Sequence, residues 1–392
     1  MKKLFYLLIF LIWIPGLLLA QETEEKKFIF SGYLKNMGSF NYFNNDLWVE
    51  DLTHNRLNFA WYPSENFSAF VEFRNRLLVG DFVSDIPNYN QIIDSNNDYF
   101  DLSANLVDNK SALLNVMADR VYVQWSKNDW EIKLGRQRIN WGVNLAWNPN
   151  DWFNAYSFFD FDYEERPGSD ALRISKYTGV ASSIEVAAKI ADDVDHFVGA
   201  AMWRTNKWGY DMQVLAGMAQ GDFSFGTGWA GNLGQAGFKG ELSTFIPVVN
   251  TSVNSLYDYL FIGAISVDYS FANSLYLNGS VMYNSIAEVD PVFGLVFAGA
   301  RPGNFTVRNI SNYRWSSFIQ SSYQFTPLFF GGLSVIAYPG TNAFFINPAF
   351  SYSLKQNLDL NLVGQLFFDE NPLTGDYGSV LRSGFVRLKW SF

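Results

Sequence analysis

Residues 131–152, EIKLGRQRINWGVNLAWNPNDW, gather Arg136, Gln137, Arg138, Asn140, Asn148, Asn150 and Asp151 among tryptophans and aliphatic side chains. Guanidinium groups stay charged and offer a planar fork that matches carboxylates and phosphates. Such a stretch could belong to an active site, a cleft for a sugar or an acid, or one wall of a larger polar surface. The elements that carry it decide between these readings.

Those elements read as strands. Period-two alternation recurs from end to end, in segments of about ten residues, and no helical pattern has comparable strength. Eighteen such segments run from 27–41 to 379–392, with sixteen as the fallback. Long or polar links such as DFVSDIPNYNQIIDSNNDYFDLSANLVDNK and RPGNFTVRNI alternate with tight ones such as PSEN, SKND and KQN. NNDLWVE, after the first segment, reads as another long link. That sorting predicts an antiparallel up-and-down transmembrane β-barrel with both termini on the periplasmic side.

Composition agrees. The chain is 18% aromatic and 17% charged, with 30 glycines and no cysteine, which excludes a disulfide framework, a thiolate metal site and a lipidated Cys. Two lysines, an apolar run from Leu4 to Ala20 and an abrupt polar start at Gln21 have the layout of a secretory signal peptide, with a retained anchor as the alternative. The expected organisation is therefore a signal peptide over 1–20 and a single barrel domain over 21–392. The expected location is the bacterial outer membrane.

In a barrel, alternation sends each side chain to lipid or to the lumen. With the apolar set outward, the inward set includes Arg56, Glu72, Arg74, Arg76, Arg120, Tyr122, Arg173 and, on the closing strand, Arg387. The stretch 129–140 breaks the pattern. Its parity would place Arg136 and Arg138 in lipid, where a charge costs about 2–4 kcal/mol at mid-depth. A β-bulge at Gly135 would flip the phase and bring both into the lumen; the rival is that both snorkel to external headgroups. The bulge gives a basic strip along one wall, suited to passing anions between weak sites. Neutralisation by Glu72, Asp119, Glu131, Glu241 and Asp268 is the plainer alternative. The long aromatic link from Gly142 onward is expected to fold inside as a constriction, with Asp160, Asp162, Glu164 and Glu165 opposite the strip.

LGRQRINWG, followed by NPND and RPGSDALR, resembles the Gly-Arg-Gln-x-x-x-x-Gly signature of porin-like outer-membrane families, including alginate-export barrels. The match covers about residues 129–176 and implies a barrel with Arg136 and Gln137 at a wall position. The final SGFVRLKWSF resembles the terminal strand of bacterial outer-membrane barrels, which implies that Phe392 is read by the barrel-assembly machinery.

Other chemistries leave weaker traces. A barrel hydrolase would need a histidine at the external rim. His54, beside Asp51 and Asn55, and His196 in DDVDH are the two candidates. DSNNDYFD at 94–101 has alternate carboxylates but Tyr99 where a calcium loop needs glycine, so it reads as a solvated acidic loop. No phosphate-cradling loop, dinucleotide fingerprint or nucleic-acid patch occurs, and no cofactor or metal is expected. The sequence thus predicts a passive channel, not an enzyme, for small polar or anionic solutes, surrounded by outer-membrane lipid and lipopolysaccharide. A barrel acting as a scaffold for a secretion or uptake partner is the alternative.

Overall fold

The computed structural model describes residues 27–43, 46–94, 98–251, 254–255, 257–287, 305–370 and 375–392. The expected signal peptide lies outside the described residues.

Nineteen strands form one antiparallel sheet. They are β1 (Phe28–Phe43), β2 (Asp46–Ser64), β3 (Phe67–Gly80), β4 (Ser103–Asn109), β5 (Ala112–Lys127), β6 (Trp130–Gln137), β7 (Ser169–Gly179), β8 (Ser182–Lys189), β9 (Val198–Lys207) and β10 (Tyr210–Ala219). The chain continues through β11 (Asp222–Leu233), β12 (Ala236–Pro247), β13 (Leu260–Ser270), β14 (Leu275–Asn284), β15 (Trp315–Thr326), β16 (Phe329–Ala337), β17 (Phe344–Lys355), β18 (Leu358–Glu370) and β19 (Tyr377–Ser391). Two one-turn helices, α1 (Asp81–Asp85) and α2 (Tyr89–Ile93), precede β4.

Strand β4 pairs with β5 alone, beyond the point where β6 ends, so eighteen strands make the ring. The ring closes where β1 pairs with β19, from Tyr33↔Ser391 to Tyr42↔Arg382. Phe392 extends the seam through two backbone bonds to Gly32, both 2.9 Å. Eighteen was the sequence reading, and the alternation of links behind it also holds. The tight turns, 64–67 through 355–358, gather at the end that holds Phe28 and Phe392, and the long links gather at the other. Two links at that end depart from the rule: NNDLWVE after β1 is mostly strand, with β2 beginning at Asp46, and β10 joins β11 through the two residues Gln220 and Gly221.

Local chemistry explains the turns. Trp208 and Gly209 take φ of 57° and 79°, the mirror-image geometry whose twist matches that of the flanking strands. At the opposite end Gln220 and Gly221 do the same with 52° and 84°.

The outward faces carry Leu34, Phe59, Trp61, Val123, Trp125, Leu134, Leu172, Val186, Trp203, Val214, Phe225, Ile265, Ile319, Leu362 and Leu388, all exposed. A closed ring with such a belt is built to sit in hydrocarbon, since closure leaves no unpaired sheet edge. The buried apolar residues lie inside the ring: Leu215, Phe245, Ile262, Met282, Phe318, Ile336, Phe345 and Phe367 from the wall cluster with Trp141, Trp147, Trp152 and Phe153 from the link between β6 and β7.

Candidate functional site

That link, residues 138–168, crosses the lumen. Trp152 meets Phe245 on β12 at 6.0 Å, Phe158 meets Phe318 on β15 at 5.0 Å, and Phe159 meets Phe345 on β17 at 4.9 Å. Phe161 reaches Phe385 on β19 at 4.9 Å. The expected inward fold therefore occurs, driven by aromatic burial against a wall that is apolar on its inner side as well as its outer.

Polar side chains of the wall hold the loop backbone. Glu241, fully buried on β12, accepts from the N–H groups of Val143 (2.6 Å), Asn144 (2.9 Å) and Asn150 (2.9 Å), and from the Asn144 amide (3.1 Å). Gln213 donates to the Trp141 carbonyl at 2.7 Å and Gln365 to that of Phe159 at 2.9 Å. In the NPND motif, Asn150 also donates to the Thr227 carbonyl at 3.0 Å and accepts from Ser243 at 2.8 Å. Asp151, 1% exposed, has no hydrogen-bond partner on either carboxylate oxygen among the described residues. Burial pushes its carboxyl up, against the pull of the nearby Arg138 charge.

Most of the basic strip is neutralised. Arg56, 1% exposed, bonds Glu72, meets Asp119 at 2.7 Å and approaches Glu165 at 3.7 Å. Arg120 meets Asp119 at 3.2 Å and donates to the carbonyls of Glu165 (2.9 Å) and Arg166 (2.6 Å). Arg173 pairs with Glu185 at 2.6 Å. Three arginines differ. Arg74 lies 3.8 Å over the Tyr163 ring, Arg76 donates to the Ile93 carbonyl and to Asn115, and Arg138 sits 6.0 Å from the Tyr156 ring. None of the three has a carboxylate within ion-pair distance among the described residues. Tyr122 stacks on Phe70 at 4.7 Å.

The loop carboxylates contact the strip instead of standing across a gap from it, which corrects the expected transverse field. Asp162 meets Lys35 at 2.8 Å and Arg387 at 3.2 Å; Glu164 meets Arg387 at 3.2 Å and Lys389 at 2.6 Å; Glu165 accepts from Tyr33 at 3.2 Å. Burial alone would raise the Asp162 carboxyl, but the nearby His54 ring and the Lys35 ammonium outweigh it and hold it below the carboxylate range. Glu164 is likewise lowered, its burial offset by the bond and charge of Lys389 and by Arg387. Asp160 is exposed and instead caps the Tyr163 N–H at 3.2 Å.

Two further expectations are corrected. No bulge occurs in β6, whose register with β5 runs unbroken from Val121↔Arg136 to Lys127↔Trp130. Gly135 takes φ 119°, and a Cβ there would lie 2.2 Å from the Val121 carbonyl oxygen, so glycine is required for a twist and not for an insertion. Arg136 does not snorkel either. It is buried, pairs with Asp170 at 2.8 Å and donates to the Phe100 carbonyl. His54 is not at the rim: it is fully buried in the wall, 3.6 Å from Asp162 and 3.5 Å from the Tyr33 hydroxyl, with no serine beside it among the described residues. His196 is exposed and pairs with Asp193 at 2.7 Å. Of DSNNDYFD, the middle lies outside the described residues, while Asp98 pairs with Lys189 at 3.0 Å.

Sequence reasoning missed Lys35 and the pinning role of Glu241. Parity could have found both, since YLKNM sends Tyr33 and Lys35 inward with Met37, and GELSTF does so for Glu241 with Phe245. Towards the end that holds the termini the wall stays polar and partly exposed, with side-chain exposures of 20% for Lys133, 34% for Lys239 and 20% for Asp268.

No protein-family profile and no curated protein sequence matches the chain. Solved structures do. OccAB4 of Acinetobacter baumannii superposes with a TM-score of 0.59 at 10% identity, over 95% of this chain and 100% of that one. OccK11 (OpdR) of Pseudomonas aeruginosa gives 0.57 at 10% identity, over 93% and 96%, and OccAB2 of A. baumannii 0.56 at 9%, over 94% and 99%. At this identity the likeness is one of fold, that of outer-membrane porin barrels. With the apolar belt, it makes the chain an integral protein of the bacterial outer membrane.

Proposed function

We propose that this barrel is a porin-type channel through which small hydrophilic solutes diffuse passively, past the loop 138–168, with a preference for anions such as carboxylates or acidic sugars. The observation that carries the reading is a closed eighteen-stranded ring whose outer face is mostly apolar and whose inner face carries a charged strip along one side. The anion preference is supported by Arg74, Arg76 and Arg138, which lack carboxylate partners among the described residues. Swelling of proteoliposomes in neutral and acidic sugars tests the reading. Entry of both, faster for the acidic sugar, is expected. Equal rates remove the preference, and no swelling removes the channel.

One observation favours a second reading, a barrel that serves as a membrane scaffold for a partner: the aromatic loop packs against the far wall through Trp152, Phe158 and Phe159. Proteoliposomes impermeable to every sugar would select it. Contact with lipopolysaccharide, and reading of Phe392 by the assembly machinery, belong to the same proposal.

A further inference from the structure

The outer wall of β1–β3 departs from the apolar belt. Alternating with the buried Lys35, His54, Arg56 and Arg74, its outward positions hold Asn36, Asp51, Thr53, Asn55 and Asn75. Register sets them side by side, Asn36 across from Thr53 and Asn55 across from Asn75. Asn36 donates to both Asp51 oxygens at 2.9 and 3.0 Å and to Thr53 at 3.2 Å, and Asn75 donates to Asn55 at 3.2 Å. Other mid-strand outward positions carry side chains such as Val214, Phe225, Ile265, Val281 and Ile319.

Apolar residues bracket the cluster along each strand: Leu34 and Phe40 on β1, Val49 and Leu57 on β2, Phe73 and Leu77 on β3. A tilted strand crosses hydrocarbon in about 9–11 residues. A belt that starts at Phe30 therefore reaches Phe40 and encloses Asn36. A belt set lower would leave Phe40, Phe43, Leu47 and Val49, all exposed, in water. The Asn55 amide donates to the Tyr33 carbonyl at 3.2 Å, but in hydrocarbon the charged Asp51 keeps the Asn36 amide as its donor with no water to solvate the rest of its carboxylate.

We propose that this wall is covered in the membrane by the same wall of a second copy. Each amide both donates and accepts, so the cluster complements itself under a twofold axis. Asp51 gains donors from the copy's amides, and the outward Arg382 on adjoining β19, 5.7 Å over the Tyr42 ring, supplies an opposite charge. Close approach is open as well, since Gly384 and Gly38 share this face. Nothing lies within 4 Å of a Cβ built on Gly384, and only the Phe40 ring, at 3.9 Å, is near one on Gly38.

The chain has no cysteine, which makes the test clean. Asn55→Cys and, on the opposite wall, Val214→Cys are each treated with a short bismaleimide in reconstituted vesicles and in outer membranes. An adduct of twice the chain mass from Asn55→Cys and not from Val214→Cys is expected, and adding Asn36→Leu with Asn75→Leu should abolish it. Monomer alone, equal yields at both sites, or an adduct with a protein of another mass overturns the proposal. Should Asn55→Cys fail to give the heat-modifiable folded band, Thr53→Cys is read the same way.

Discussion

Glu241→Ala should undock the loop without opening the barrel. The Glu241 carboxylate accepts from three loop N–H groups, those of Val143, Asn144 and Asn150, and the side chain is fully buried on a strand paired on both edges. A buried donor left without an acceptor costs about 1–3 kcal/mol. Three of them raise the docked state by about 3 kcal/mol or more, before the lost Asn144 amide bond is added. Since every 1.4 kcal/mol is tenfold, the undocked fraction should rise by about 100-fold. Limited proteolysis of the folded protein in detergent reads this directly, because cleavage within Gly142–Trp147 tracks the open population. Single-channel conductance should rise in parallel and become noisier. Glu241→Gln, which keeps one acceptor oxygen, should fall between. Unchanged proteolysis and conductance in Glu241→Ala would refute the pinning role.

Four other outcomes follow from the same geometry. Because Asp162 and Glu164 are held below the ordinary carboxylate value, their ion pairs stabilise the docked loop above about pH 4 and release it only as pH falls through the lowered values. The support these two pairs give the loop should therefore stay constant from pH 7 to about pH 5, so that Asp162→Asn with Glu164→Gln raises conductance by the same factor at both; a factor that shrinks between them would contradict the assignment. Arg74→Ala combined with Arg138→Ala should move the reversal potential in a salt gradient towards cation preference; an unmoved potential removes the selectivity claim and leaves the channel. Gly135→Val meets a carbonyl at 2.2 Å from its Cβ and a positive φ, so the folded band in heat-modifiability gels should be lost, whereas Gly279→Ala, with open space around it and ordinary φ, should retain it. Arg308→Ala removes the counter-charge of the fully buried Asp222, its partner at 2.7 Å, leaving it the Asn254 and Tyr257 donors, and should cost about 3 kcal/mol in urea unfolding of the barrel.

The ring was legible because closure in lipid imposes one rule on every strand. Leu57, Phe59 and Trp61, or Val121, Val123 and Trp125, could alternate only with residues that face water or the interior. The interior was legible only where it is polar. In LFIGAISV and WSSFIQ both faces carry apolar side chains, so alternation is silent about Ile262 and Phe318, which look inward onto the loop. Parity sends Arg56, Arg74 and Arg120 inward, and Arg56 and Arg120 share Asp119 of β5; yet the Tyr163 that bonds Asp119 and lies under Arg74 comes from a loop more than forty residues away in sequence. Gly135 shows the same limit, since the need for positive φ was readable and the form it takes was set by the neighbouring strand.

Planar-bilayer recording of the purified, folded protein addresses the central claim most directly. A water-continuous lumen narrowed by the loop predicts discrete, ohmic steps in potassium chloride that grow when residues 143–165 are replaced by a short glycine-serine link. Bilayers that stay silent with both proteins, each verified as folded and inserted, would contradict it.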